Sequence, residues 1–97
     1  MSRYRLAEQA KLDLSEIWEY IGAVRGYPAA AHRQLEILYE KFTRLARQPL
    51  MGQLCDNLRP GLRAFSAGAY VIFYVPIRDG IEVERVIHGV RDISSLF

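Results

Sequence analysis

The residues best suited to chemistry lie near the C-terminal end of the chain, in residues 81–97 (IEVERVIHGVRDISSLF). His88 and Gly89 follow a run of residues typical of a strand, and Arg91 and Asp92 come directly after them. This short segment combines an imidazole, a flexible turn, a guanidinium and a carboxylate. Such a combination can bind a phosphate or move a proton, so this corner is the first candidate for a functional site.

Each of these side chains also has a purely structural interpretation. His88, at a strand end, can donate a hydrogen bond to a backbone carbonyl. Arg91 and Asp92 can form a surface ion pair, or Asp92 can open a short helical turn as its cap. The sequence leaves the choice between a structural role and a partner contact open for Asp92, and it favours the contact for Arg91.

The composition predicts a single folded domain over residues 1–97, because 51% of the residues are apolar and 25% are charged. The formal net charge is only +2, although 11 of the 13 cationic residues are arginine. A protein that bound nucleic acid by charge alone would be more basic. Cys55 is the only cysteine, which excludes an internal disulfide and a cysteine-based zinc site, and we expect neither metal nor cofactor. The absence of a signal peptide and of a membrane-spanning apolar run favours a cytoplasmic protein.

Two amphipathic helices are predicted in the first half of the chain. Apolar residues recur at alternating spacings of four and three over residues 7–24 and again over residues 28–47. Gly26 suits the end of the first helix and Pro28 the first turn of the second. Trp18 widens the apolar face of the first helix, where a core or rim position is favoured. Two helices joined by so short a turn predict an antiparallel hairpin.

The other predicted elements are strands, one before the helices and three after them. The apolar patterns favour strands over residues 4–6, 62–66, 69–75 and 81–88. Asp79 and Gly80 predict a tight hairpin, and residues 50–60 are predicted as a loop. Arg85 shares the apolar alternation of the last strand, which requires either a bulge or an arginine that reaches the rim of the sheet. The result is an α+β fold with one mainly antiparallel sheet and the helical hairpin packed on one face of it.

An ordered set of residues runs through these elements: Ala10, Asp13, Leu14, Ile17, Tyr20, Leu45, Pro49, Gly52, Gly61, Leu62, Arg63, Tyr70, Tyr74, Val86, Ile87, His88, Gly89, Arg91 and Asp92. In these residues and in its order of elements, the chain resembles the ParE/RelE superfamily of bacterial toxin-antitoxin toxins, and within it the ParE branch. The resemblance covers nearly the whole chain and implies an N-terminal strand, an antiparallel helical hairpin and a three-stranded antiparallel meander.

The resemblance also implies a function. ParE-like toxins poison DNA gyrase, whereas RelE-like relatives cut messenger RNA in the ribosome, and a small antitoxin whose tail folds on binding neutralises both. We therefore expect a cytoplasmic gyrase inhibitor that is held in an oligomeric toxin-antitoxin complex. A toxin that has lost its activity and survives as an antitoxin-binding module is a further alternative.

The ribonuclease alternative would use Arg63, His88 and Arg91. Arg63 and Arg91 occupy positions where RelE-like nucleases carry phosphate-contacting arginines, and His88 could exchange a proton. The C-terminal tyrosine of a RelE-like site is missing, because the chain ends in Leu96 and Phe97. The weak basic surface also argues against docking on ribosomal RNA. The sequence therefore favours a toxin that acts by binding rather than as an enzyme.

Two groups of residues are candidates for contact with partners. Arg63 has the structural alternative of pairing with Glu82 or Glu84, and core positions are favoured for Tyr70 and Tyr74. We expect the antitoxin to bind in a hydrophobic groove beside the helical hairpin or at a sheet edge. The candidates for target contact are Arg63, His88, Arg91, Asp92 and Phe97. The candidates for the antitoxin groove are Trp18, Leu38, Phe42, Tyr70 and Tyr74.

Overall fold

The computed structural model describes residues 2–89 and residue 97, and its elements run from one N-terminal strand through two helices to four further strands. The helices are α1 (Glu8–Trp18), which continues as a π-helical segment (Glu19–Val24), and α2 (Pro28–Arg47). The strands are β1 (Arg3–Leu6), β2 (Gln53–Leu54), β3 (Arg63–Ala67), β4 (Tyr70–Ile77) and β5 (Gly80–His88). The predicted α+β fold is confirmed, with α2 at the expected bounds.

The five strands form one sheet in the order β1-β5-β4-β3-β2. β1 pairs in parallel with β5, and the other neighbours are antiparallel. A Cβ atom on Gly80 would lie 1.7 Å from the carbonyl oxygen of Arg3. Only glycine allows the start of β5 to approach the start of β1 so closely. The N-terminal strand thereby becomes an edge of the sheet, next to the last strand of the chain.

Apolar residues cover both faces of the sheet. On one face, buried side chains of the helices, such as Leu14 and Phe42, pack against Val83 and Val86 of β5. A second cluster on the opposite face is built on Leu62, Phe73 and Ile87. No helix among residues 2–89 is long and apolar enough to cross a membrane.

The first helix departs from its predicted range, 7–24. Regular α-helix ends at Trp18, and the chain continues with π-type hydrogen bonding, in which the Arg25 N–H donates to the Tyr20 carbonyl at 2.9 Å. Gly22 lies inside the wider turn, where an added Cβ would be 3.4 Å from both Ala31 and the Trp18 ring. The missing side chain therefore lets the π-helical segment pack directly on α2.

The predicted loop over residues 50–60 is also wrong in part. Gln53 and Leu54 pair with Ala64 and Arg63, which adds a short fifth strand to the predicted four-stranded sheet. A strand of two residues is too short to produce an alternating pattern, so it has no signal in the sequence.

A β-bulge explains why Arg85 shares the apolar alternation of the last strand. Phe73 faces Arg85 while the next residue of β4, Tyr74, faces Val83, so Glu84 is the extra residue of β5. Val83 and Val86 are three positions apart, and an unbroken strand would turn them to opposite faces. The bulge allows both valines to enter the core beneath the helices.

Candidate functional site

A buried ion pair fixes α1 on β5. Asp13 Oδ2 accepts hydrogen bonds from Arg85 Nε at 2.8 Å and from the Val86 N–H at 2.9 Å, and Oδ1 accepts from Arg85 Nη2 at 3.0 Å. The Asp13 residue is only 5% exposed. The hydrogen bond to Asp13 raises the pKa of Arg85 and outweighs the opposite effect of burial. Sequence reasoning missed this pair, and it named Asp13 only as a family-matching residue.

Next to this ion pair, a cavity of about 500 Å³ opens between α1 and the end of the sheet where β4 begins and β5 ends. We call it the tyrosine pocket, and it is lined by Asp13, Glu16, Ile17, Tyr20, Tyr70 and His88, with Val86 below them. The rings of Tyr70 and His88 meet edge to face, with centroids 5.6 Å apart. Burial raises the pKa of Tyr70, and the nearby Tyr20 raises it further. Both aromatic and acidic groups therefore converge on this pocket.

A second cavity, of about 590 Å³, lies on the other side of α1. We call it the apolar groove, and it is lined mainly by Leu6, Leu14, Trp18, Leu35 and Tyr39, with Lys11 and Glu19 among its polar residues. The groove runs between β1 and the two helices, beside the free edge of β1. Trp18 remains 41% exposed there. Among the five residues predicted for an antitoxin groove, Trp18 lines this groove, and Tyr70 lines the tyrosine pocket instead.

The structure corrects three of the predicted groove residues. Leu38, Phe42 and Tyr74 are 0% exposed and belong to the core, so they have no surface to offer a partner. Leu38 and Phe42 lie at the centre of the apolar face of α2, which packs against the sheet, and Tyr74 lies in the sheet itself. The Tyr74 hydroxyl accepts from the Gly52 N–H and donates to the Pro49 carbonyl, each at 2.8 Å. The structure therefore assigns Tyr74 to holding the turn after α2.

Arg63 supports the same turn. Its Nη1 donates to the carbonyl oxygens of Leu50 at 3.2 Å and of Gly52 at 2.7 Å. The predicted structural alternative, an ion pair with Glu82 or Glu84, is wrong. Those carboxylates accept from Arg5 and Arg59 respectively, each at 2.6 Å.

The residues of the ribonuclease alternative do not form one site in the described part of the chain. Arg63 faces Tyr74 across the β3–β4 ladder, whereas His88 faces Tyr70 across the β4–β5 ladder. Four residues of extended strand separate the two positions on β4, which is about 13 Å. Arg91 and Asp92 lie outside the described residues.

Phe97 contacts the chain itself. Its ring packs on Phe73 with centroids 4.9 Å apart, and the Arg59 guanidinium lies 5.8 Å from its centre. It joins the apolar cluster on the face opposite the helices, whereas Tyr70, the pairing partner of His88, packs against the helix-side core. The described target-contact candidates therefore occupy three separate places.

Comparison with known proteins shows the family of this chain. The family described as ParE toxin of type II toxin-antitoxin system, parDE, matches residues 4–93. The chain belongs to the ParE toxin family. Toxin ParE1 of Mycobacterium tuberculosis is 38% identical over 94 residues, which cover 96% of this chain and 95% of that toxin. Toxin ParE1 of Caulobacter vibrioides is 41% identical over 92 residues, which cover 91% of this chain and 90% of that toxin.

Comparison with solved structures supports the same fold. A structure titled "Chromosomal ParDE TA system from P. aeruginosa" matches with a TM-score of 0.75 at 18% identity, over 91% of this chain and 96% of that one. The resemblance to the ParE branch is thus confirmed, and the chain is a toxin of a type II toxin-antitoxin system.

This ParE toxin carries a pair of carboxyl groups on the sheet face opposite the helices. Glu82 and Glu84 contact each other, and Glu84 Oε2 is buried without a hydrogen-bond partner in the described part of the chain. Burial raises the pKa of Glu84, and the neighbouring Glu82 carboxyl group raises it further. The neighbouring Glu84 and the hydrogen bond from Arg5 lower the pKa of Glu82. Glu84 therefore keeps its proton to a higher pH than an ordinary glutamate, beside a carboxyl group that loses its proton more readily.

Replacing Glu84 by glutamine is expected to stabilise the toxin at pH 7 by about 1 kcal/mol, because an amide can donate to Glu82 and carries no like charge. The weakened pairing with Arg59 opposes this only slightly, since that side chain is 43% exposed. A raised carboxyl pKa contributes stability below the ordinary value of 4.5 and loses it as pH rises through the raised pKa. The variant should therefore gain most at neutral pH.

Urea unfolding of the two proteins at pH 7 and at pH 4 measures this effect. Glu82→Gln is the matched control and is expected to destabilise, since it removes the carboxylate whose pKa is lowered in the fold. A Glu84→Gln variant that is less stable than wild type at pH 7 contradicts the prediction.

Proposed function

We propose that this ParE toxin inhibits DNA gyrase in the cytoplasm and is neutralised there by a cognate antitoxin. The family match over residues 4–93 supports this choice of target, because gyrase is the target that resemblance to ParE implies. The separation of Arg63 from His88 also favours a toxin that acts by binding over one that cleaves RNA. We retain His88, Arg91 and Asp92 as proposed contacts with the target.

The apolar groove is the proposed binding site for the antitoxin. An amphipathic helix can place its apolar face between Leu14, Trp18, Leu35 and Tyr39, because such helices recurrently bind in grooves of this kind. The outer edge of β1 lies beside the groove and pairs with no other strand that the structure describes, so its backbone groups can accept an extended segment as an added strand. A helix and an extended tail can thus bind side by side.

Purified toxin tested in parallel on gyrase supercoiling and on ribosome-dependent mRNA cleavage distinguishes the candidates. The expected result is inhibited supercoiling with intact mRNA, and recovery of supercoiling when the antitoxin is added in equimolar amount. Cleaved mRNA with normal supercoiling would establish the RelE-like alternative. Two negative assays together with harmless expression would establish an inactive antitoxin-binding module.

A further inference from the structure

Among the residues that the structure describes, the tyrosine pocket carries one carboxylate without a counter-charge. Asp13 is neutralised by Arg85, which binds both of its carboxylate oxygens. Glu16 lies at the same pocket, is exposed, and forms no hydrogen bond or ion pair with the residues that the structure describes. Its charge acts on Arg85, whose pKa it helps to raise. A ligand that enters this pocket therefore meets one carboxylate with its acceptor positions available.

The walls of the pocket are aromatic. Tyr20 is 56% exposed at the entrance, and Tyr70 and His88 stand edge to face behind it. A guanidinium group binds such surroundings well, because it stacks on aromatic faces while it donates two parallel hydrogen bonds to a carboxylate. The volume of about 500 Å³ accommodates one long side chain together with some of the backbone that carries it.

We propose that the tyrosine pocket receives an arginine side chain of the antitoxin. This inference rests on the proposed function, in which the antitoxin occupies the apolar groove. The groove and the pocket share α1 as their common wall, with Trp18 on one side and Ile17 on the other. A helix with its side chains is about 10 Å wide, and three or four extended residues span that distance. An antitoxin segment that leaves the groove can cross α1 and place a basic residue beside Glu16.

This placement would also explain part of the neutralisation. A side chain seated against Tyr70 and His88 covers the end of β5, which leads directly into the proposed target contacts. The antitoxin would then block the target-binding corner itself, in addition to holding the helical hairpin.

NMR titration of the toxin with Nα-acetyl-arginine methylamide tests whether the tyrosine pocket binds an arginine side chain. Saturable shifts are expected at Tyr20, Tyr70 and His88, and the neutral isostere Nα-acetyl-citrulline methylamide should produce none. Glu16→Gln should abolish the arginine response. Glu8→Gln, an exposed charge removal on the same helix, should leave it unchanged. Equal shifts with citrulline, or an arginine response that survives Glu16→Gln, overturn the proposal.

Affinity for the cognate antitoxin completes the test. Glu16→Gln is expected to weaken binding about tenfold or more, and Glu8→Gln by less than about twofold. Replacing the relevant antitoxin arginine by glutamine should weaken binding equally, with no further loss when it is combined with Glu16→Gln. If Glu16→Gln binds normally while Trp18→Ala does not, the pocket assignment fails and the groove stands. If wild-type toxin does not bind the antitoxin, the proposed function itself fails.

Discussion

Replacing Asp13 by alanine is expected to lower the free energy of unfolding by about 3–5 kcal/mol, because breaking a buried ion pair leaves an uncompensated charge. The Arg85 side chain is only 16% exposed and would lose both of its hydrogen bonds to Asp13. The Val86 N–H would lose its acceptor as well. In a domain of this size, each kcal/mol shifts the thermal midpoint by about 4–8 °C, so the variant should melt at least ~12 °C lower.

Denaturant unfolding of the purified variant measures the loss. Glu8→Ala is the control, since its ion pair with Lys11 is exposed and contributes little. The double variant Asp13→Leu with Arg85→Met should recover part of the stability, because an apolar pair of similar volume needs no charge compensation while the Val86 N–H still lacks its acceptor. A loss below about 1 kcal/mol in Asp13→Ala would mean that Arg85 reaches solvent or another partner when Asp13 is absent.

The sequence predicts the architecture well because the buried apolar residues recur at a regular spacing along each long helix or strand. The spacings of four and three place α2 at its observed bounds, Pro28–Arg47, and the strand predicted over residues 69–75 corresponds to β4. Periodicity says nothing about a two-residue strand such as β2, nor about the change from α- to π-helical hydrogen bonding at Glu19. Both features depend on which other segment of the chain each one packs against in the fold.

The candidate site was harder to predict for two reasons. Asp13 and Arg85 are 72 positions apart, and a single charge on an amphipathic helix is ordinarily exposed, so nothing in the sequence indicates their pairing. The groove residues were misassigned because Leu38 and Phe42, at the centre of the apolar face, are the most deeply buried. Residues at the borders of the two apolar helix faces, Trp18 on α1 and Tyr39 on α2, keep surface that a partner can contact.

The second large effect is expected from Trp18→Ala, which should weaken antitoxin binding by about 2–4 kcal/mol, or ~30- to 1000-fold. Trp18 is the largest apolar side chain of the groove and is 41% exposed, so a helix bound there would bury the rest of it. Large aromatic residues at the centre of an interface contribute most of its binding energy. Gyrase inhibition by the purified variant should be unchanged, because the proposed target contacts lie elsewhere.

Calorimetric titration measures the affinity for the antitoxin, and co-expression with the antitoxin in growing cells measures whether the toxin is still neutralised. Leu12→Ala is the matched control, since Leu12 is 56% exposed on the same helix but lines neither cavity. Cells that make antitoxin should tolerate Leu12→Ala and should be poisoned by Trp18→Ala, since a toxin that escapes its antitoxin stays active. Trp18 also packs on Gly22, so both variants must first be shown to be folded at the assay temperature. Equal antitoxin affinity of the two folded variants would exclude the groove and leave the free edge of β1 as the docking site.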